Sequence, residues 1–211
     1  MTLASAAASA EMGFEEYLAA YDGVHAEWVD GRVTVEDGWT VRHARVKRFL
    51  TCVLQIWAEE HDGGQTYMAP FTLKLGEAVA REPDVFFLRP ENQRRVTETY
   101  VDGPADLAIE IASGASHARA RGEKWRDYEA AGVGEYWLID PERCTAEAWR
   151  LDASGRYDPV VLGTPPVLRS EALPGMEIPV AWLWRTPTVP LTDVVASWAA
   201  GSSRGDTRRR P

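Results

Sequence analysis

The chain has 211 residues, an apolar share of 45% and a net charge of −9, which suits one folded domain with short extensions. That acidic balance argues against a general nucleic-acid coat, because phosphate-binding surfaces carry a basic footprint. No apolar run reaches membrane-spanning length, and Cys52 and Cys144 give neither metal-ligand spacing nor a disulfide framework, as in a reducing cytoplasm.

Residues 13–199 read as a single domain. Residues 1–12 are expected to be disordered; their alanine- and serine-rich start lacks the basic front and apolar middle of a secretion signal. Residues 200–211, with Arg208, Arg209 and Arg210, read as a disordered basic tail. Nine tryptophans are many for this length. Tryptophan is often only partly buried, so a homodimer interface is expected.

In chain order, Phe14, Tyr17, Leu18 and Tyr21 recur at helical spacing. Residues 26–36 read as a hairpin around Asp30-Gly31, because the tight turn needs positive φ. A long helix is predicted over 41–60, with Val46, Phe49, Leu50, Val53, Leu54 and Trp57 as its apolar stripe and His43 and Lys47 on another face. Gly63-Gly64 ends it. Residues 65–75 read as a strand bent, or placed at an edge, by Pro70. Residues 77–81 turn into a strand over 81–88. The polar stretch 89–103 reads as a loop that can hold a short helical turn, a candidate flap over a site. Strands follow at 106–113 and 135–141, separated by a helix over 115–131. Residues 146–151 and 157–161 alternate around Asp152-Ala153-Ser154-Gly155 as a second hairpin. Pro165-Pro166 and Leu173-Pro174-Gly175 are loop signals, and residues 178–184 close the domain.

Two of these strands carry acids. On 81–88, alternation puts Glu82, Asp84, Phe86 and Leu88 on one face and Val85 and Phe87 on the other. On 106–113, Leu107, Ile109 and Ile111 point one way and Ala108, Glu110 and Ala112 the other. The alanines leave room beside Glu110 for a hydrated ion, or Glu110 lies on a solvated strand face. On the following helix His117, Arg121, Lys124 and Tyr128 are spaced to share a face. Two basic clusters, Arg42/Arg45/Lys47/Arg48 and Arg119/Arg121/Lys124/Arg126, read as solvated helix faces or as phosphate contacts. Arg45, Lys47, Arg119 and Arg121 are the candidate DNA contacts.

Pro83-Asp84, then Asp106 to Ser113 with Glu110 at its centre, then Gly122-Glu123-Lys124, Tyr128, Gly132-Val133 and Glu135 to Pro141, together resemble the PD-(D/E)XK nuclease superfamily. More narrowly, they resemble its Uma-type bacterial restriction-endonuclease-like family. The resemblance covers about residues 13 to 184. It implies an α/β fold with a restriction-endonuclease-like core: a mixed central β-sheet flanked by helices, an N-terminal helix and hairpin, and C-terminal β additions. It also implies a Mg²⁺- or Mn²⁺-dependent endonuclease acting on DNA, with Asp84, Glu110 and the backbone carbonyl of Ile111 as metal ligands and Lys124 stabilising charge. Glu27, His43, Glu82 and Tyr128 are secondary candidates. Two departures stand out. The superfamily lysine usually lies two residues after the second acid, where this chain has Ala112. Many relatives have an aspartate four residues before the helix lysine, and here that residue is Ala120. A catalytically degenerate DNA- or partner-binding domain is therefore the alternative, with hydrolysis of a small phosphate as a third reading.

Overall fold

The computed structural model describes residues 12–36, 40–61, 63–112 and 116–205, the last with backbone only for residues 116, 117 and 199–205. The expectation for residues 1–12 falls almost wholly outside this set, as do the last six residues of the expected tail and the side chain of His117.

Helix α1 (Phe14–Ala20) is followed by the hairpin β1 (Ala26–Val29) and β2 (Arg32–Val35). Its two turn residues, Asp30 and Gly31, have φ of 48° and 76°, the left-handed values a two-residue hairpin turn demands. Helix α2 (Val41–Glu60) begins at Thr40, whose hydroxyl accepts a hydrogen bond from the His43 N–H, satisfying one of the orphan donors of the first turn. Strands β3 (Gln65–Met68), β4 (Thr72–Lys74), β5 (Val79–Arg81), β6 (Val85–Leu88), β7 (Tyr100–Asp102) and β8 (Leu107–Ile111) follow. Then comes one helical run: α3 (Ser116–Arg119), a π-helical turn (Ala120–Lys124) and α4 (Trp125–Ala131). Strands β9 (Glu135–Asp140), β10 (Thr145–Leu151), β11 (Tyr157–Pro159), β12 (Val167–Arg169) and β13 (Glu177–Pro179) lead to a 3-10 turn (Val180–Trp184) and helix α5 (Leu191–Gly205).

The strands form two main sheets, ordered β2-β1-β5-β4-β7 and β11-β10-β9-β8-β6-β3, with β12-β13 as a separate pair. Both main sheets are mixed: β8 runs parallel to β9 and β4 parallel to β7, while their other pairings are antiparallel. On one face of the six-stranded sheet the predicted stripe of α2 packs on Val85, Phe87, Leu107, Ile109 and Ile111. Each such buried aliphatic or aromatic side chain stabilises the fold by roughly 2 kcal/mol. The opposite face receives Tyr128 of α4 against Ala108, Ala112, Tyr136 and Leu138. The expected mixed sheet flanked by helices is the architecture observed. No helix of the described residues is long and apolar enough to cross a membrane.

Three expectations need correction. The strand read over 65–75 is two strands in different sheets: the chain crosses at Ala69-Pro70-Phe71, and the proline takes no part in either ladder. It crosses back at Glu82-Pro83-Asp84, so 81–88 is not one strand either, and Glu82 and Asp84 do not share a face. The stretch 89–103 is more than a loop with a helical turn, because Tyr100–Asp102 joins a sheet as β7. It holds a 3-10 turn (Pro90–Arg95) and strand β7, and Asp106 ties its start down by accepting from the Arg89 N–H at 2.8 Å and from Asn92. Helix α5 is described to Gly205. It is held by buried Val194 and by Trp198, which stands edge-on to Trp57 at 4.7 Å.

Candidate active site

The two chain crossings lie side by side, with the Ala69 N–H donating to the Pro83 carbonyl at 3.2 Å. At this junction charged side chains from both sheets and two helices meet in the interior. Asp84, at the head of β6, has one carboxylate oxygen 2.7 Å from His43 Nε2 and 3.7 Å from Lys47 Nζ, both on α2. Its other oxygen accepts from the Ile111 N–H at 2.9 Å. That N–H belongs to the residue after Glu110, so the two acids reach adjacent positions although 26 residues separate them in sequence. Burial raises the Asp84 pKa, but the His43 bond, Lys47 and the Ile111 N–H outweigh it and hold the carboxyl below its usual range.

Glu110 projects from β8 toward the helical run. Lys124 Nζ lies 3.0 Å from Oε2, and the Tyr128 hydroxyl donates to Oε1 at 2.7 Å. Lys124 is also 2.8 Å from Glu27 of β1 and 3.4 Å from Glu36. Glu27 is anchored in turn by Arg81 of β5 at 2.7 Å, and Arg81 binds Asp127 of α4. Arg119 closes the rim, paired with Glu36 and 3.9 Å from Glu27. Asp84, Glu110 and Lys124 are 3–4% exposed, so the cluster is shielded from bulk water and its charges interact strongly.

Two carboxylates share the same ammonium yet titrate in opposite directions. Burial raises both. Glu27 is brought down to about 2 because Lys124, Arg81 and Arg119 all face it. Glu110 is pushed up to about 7, since its burial and the fields of Glu27 and Asp84 outweigh Lys124 and the Tyr128 hydrogen bond. Burial also lowers the Lys47 ammonium, only partly relieved by Asp84 and Glu110.

The expected site residues thus divide. Asp84, Glu110, Lys124, Glu27, His43 and Tyr128 come together. Glu82 does not: its carboxylate turns to the Ala26 N–H at 3.0 Å, Thr72 Oγ1 at 2.9 Å and the Tyr17 hydroxyl. Lys47 was expected on the surface as a DNA contact but is 5% exposed, with its amine on Asp84 and the Ala69 carbonyl. Arg119 is spent on Glu36 and Glu27, and Arg121 pairs with Glu147 beside the Trp149 ring. Arg121 therefore leaves the face of Lys124 and Tyr128. The π-helical turn inserts an extra residue between them and shifts the helical phase; such turns are frequent at functional sites. Of the four cations proposed to touch DNA, Arg45 alone is exposed and outside an ion pair among the described residues. Arg81, Glu36 and Asp127 were not anticipated. The signal for Arg81 was its place directly before Glu82-Pro83-Asp84.

The donor set suits a hard divalent cation, being carboxylate and main-chain carbonyl oxygen with no thiolate. Among the described residues no group of three His, Cys, Asp or Glu side chains is gathered closely enough to hold a metal. An ion here would have Asp84, Glu110 and the Ile111 carbonyl, with water and substrate completing the shell as is usual for Mg²⁺.

Comparison with known proteins bears on the fold and the family. No curated protein matches the chain. A solved structure, described as a "putative nuclease belonging to DUF820" from Anabaena variabilis, superposes with a TM-score of 0.67 at 13% identity. The match covers 82% of this chain and 97% of that one, and it shows a shared fold. The model of the Uma2 family, described as "Putative restriction endonuclease", matches residues 14–181. That span takes in every residue of the buried charge cluster, and the chain belongs to the Uma2 family of restriction-endonuclease-like proteins.

Proposed function

We propose that this protein is a divalent-metal-dependent endonuclease that hydrolyses DNA phosphodiester bonds at the Asp84–Glu110–Lys124 cluster. One observation carries the reading: a lysine ammonium 3.0 Å from Glu110, beside a second acid held on the next backbone N–H, all buried. A cation-assisted attack on phosphate needs these groups at one point. Mg²⁺ or Mn²⁺ held by Asp84, Glu110 and the Ile111 carbonyl would supply Lewis-acid polarisation of the scissile phosphate.

The chain's own residues do the rest. His43 and the Ile111 N–H fix the Asp84 carboxylate from two sides. Tyr128 fixes Glu110. Glu27, itself held by Arg81, draws the Lys124 ammonium into place, where it can neutralise the charge that grows on the attacked phosphate. Ala112 stands where the superfamily carries its lysine; Lys124 supplies the amine from the helix instead.

The test is cleavage of plasmid DNA by purified protein with Mg²⁺ or Mn²⁺. Asp84→Ala and Glu110→Ala should each abolish cutting, and chelation of the metal should do the same. Cutting that survives both substitutions would overturn the site. A second reading, a binding domain that keeps the nuclease fold, is favoured by the near-complete burial of the cluster and by a protein partner on every carboxylate oxygen of Asp84 and Glu110. DNA binding without cleavage in any divalent ion would select it.

A further inference from the structure

The first turns of α2 send side chains in two directions. His43 and Lys47 turn inward to Asp84. Arg42 and Arg45 stay exposed, and with Arg185, which follows the Val180–Trp184 turn, they line a cleft of about 320 Å³ whose wall includes Pro141, Cys144 and Trp184. We infer that this cleft seats a backbone phosphate of the DNA strand that serves the Asp84–Glu110 site. The identity of the strand rests on the nuclease reading; the phosphate chemistry does not.

Charge is the first argument. Acids outnumber bases in this chain, and several surface arginines are neutralised by carboxylates: Arg121 with Glu147, Arg150 with Glu171, Arg156 with Glu129 and Arg169 with Glu177. Among the described residues Arg42, Arg45 and Arg185 form no ion pair. Three like charges left uncompensated around one concavity repel one another and create a local positive potential, which an anion relieves. Guanidinium forks match phosphate oxygens two at a time. The N-terminus of α2, a helix of 20 residues, adds its partial positive charge on the same side.

Position is the second argument. Pro141 directly follows β9, whose Ile139 is the register partner of Ile111 and whose Ile139 carbonyl accepts from the Ala112 N–H at 2.8 Å. Arg42 adjoins His43, which touches Asp84 at 2.7 Å. The cleft therefore opens at the end of β8 and β9 that presents the acids. Its volume suits one phosphate with its sugar, so the duplex would lie across it.

The experiment measures binding by fluorescence anisotropy of a short fluorescein-labelled DNA duplex, in Ca²⁺ in place of Mg²⁺, across a series of salt concentrations. Each lost phosphate contact should lower the slope of log K against log salt by about 0.9 and weaken binding close to tenfold at about 0.1 M salt. Arg45→Ala and Arg185→Ala should each show this loss; Arg94→Ala, exposed on the Pro90–Arg95 turn, should not. Both cleft arginines are exposed, so the variants are expected to fold. In parallel, the duplex should slow alkylation of the exposed Cys144 thiol in the wild type. Slopes identical to that of Arg94→Ala would overturn the proposal, and so would protection of Cys144 by inorganic phosphate but not by DNA. Arginine-dependent binding without cleavage in either Mg²⁺ or Mn²⁺ would sink the nuclease reading and leave the phosphate seat standing. Cleavage with no dependence on these arginines would do the reverse.

Discussion

Replacing Lys124 by Met removes a charge while keeping most of the side chain's volume. In the native cluster the ammonium lies 3.0 Å from Glu110 and 2.8 Å from Glu27. At an effective dielectric of about 20, each contact corresponds to roughly 5 kcal/mol of Coulomb attraction. Desolvation of the amine offsets much of this, and breaking a buried pair from one side costs about 3–5 kcal/mol in practice. The cost should depend on pH. Glu110 already titrates at about 7 because burial and the neighbouring acids favour its neutral form; without Lys124 its pKa rises further. A carboxyl whose folded pKa is raised contributes stability that is present below the unfolded value and lost as pH rises through the folded one. Lys124→Met should therefore be destabilised by about 3–5 kcal/mol at about pH 8 and clearly less at about pH 5, where Glu110 takes up a proton. Urea denaturation at the two pH values measures both. Adding Glu110→Gln should recover part of the loss, because the double variant no longer opposes two carboxylates. A loss under about 1 kcal/mol at both pH values, with no rescue, would refute the claim that this amine is clamped between two buried acids.

Two further predictions concern Glu82, at the crossing beside the site, and Gly64, at the opposite end of β3 and β6. Burial pushes Glu82 up to about 7 despite bonds from Thr72, Ala26 and Tyr17, so wild-type stability should fall as pH rises from about 5 toward 7. Glu82→Gln should flatten that fall by up to about 3 kcal/mol in denaturant titrations, and an unchanged pH profile would contradict the assignment. Gly64 has a φ of +94°, and a Cβ there would stand 2.6 Å from the Leu88 carbonyl oxygen. Gly64→Ala should lower stability by at least about 1–3 kcal/mol, read as the shift in unfolding midpoint; a wild-type midpoint would refute it.

Local signals in the sequence were sufficient wherever the physics is local. The Asp30-Gly31 turn and the α2 stripe from Val46 to Trp57 appear where expected, because turn φ and helical periodicity are set by neighbouring residues. Strand alternation also placed Leu107, Ile109 and Ile111 on the face opposite Ala108 and Ala112. What escaped notice depends on partners distant in the chain. Alternation through residues 65–75 and 81–88 looks continuous, so nothing local shows that the chain changes sheets at Pro70 and Pro83; that change is what parts Glu82 from Asp84. Lys47 reads as a solvated cation because its burial is tolerated only through Asp84, 37 residues on. Arg81 stands directly before Glu82-Pro83-Asp84, but its role emerges only when Glu27 and Asp127 converge on it. Arg121 fell out of phase through a π-helical turn that no residue pattern announces.

The central claim is that Asp84 and Glu110 form one cation site beside the Lys124 amine. Anomalous diffraction from a crystal soaked in Mn²⁺ addresses it most directly. The account predicts a peak bridged by the carboxylates of Asp84 and Glu110, with the Lys124 ammonium displaced from Glu110 but still at its rim and Glu27 still bound to Arg81. A fully loaded crystal with its peak on other residues, and these two acids still paired as they are with His43 and Lys124, would contradict it.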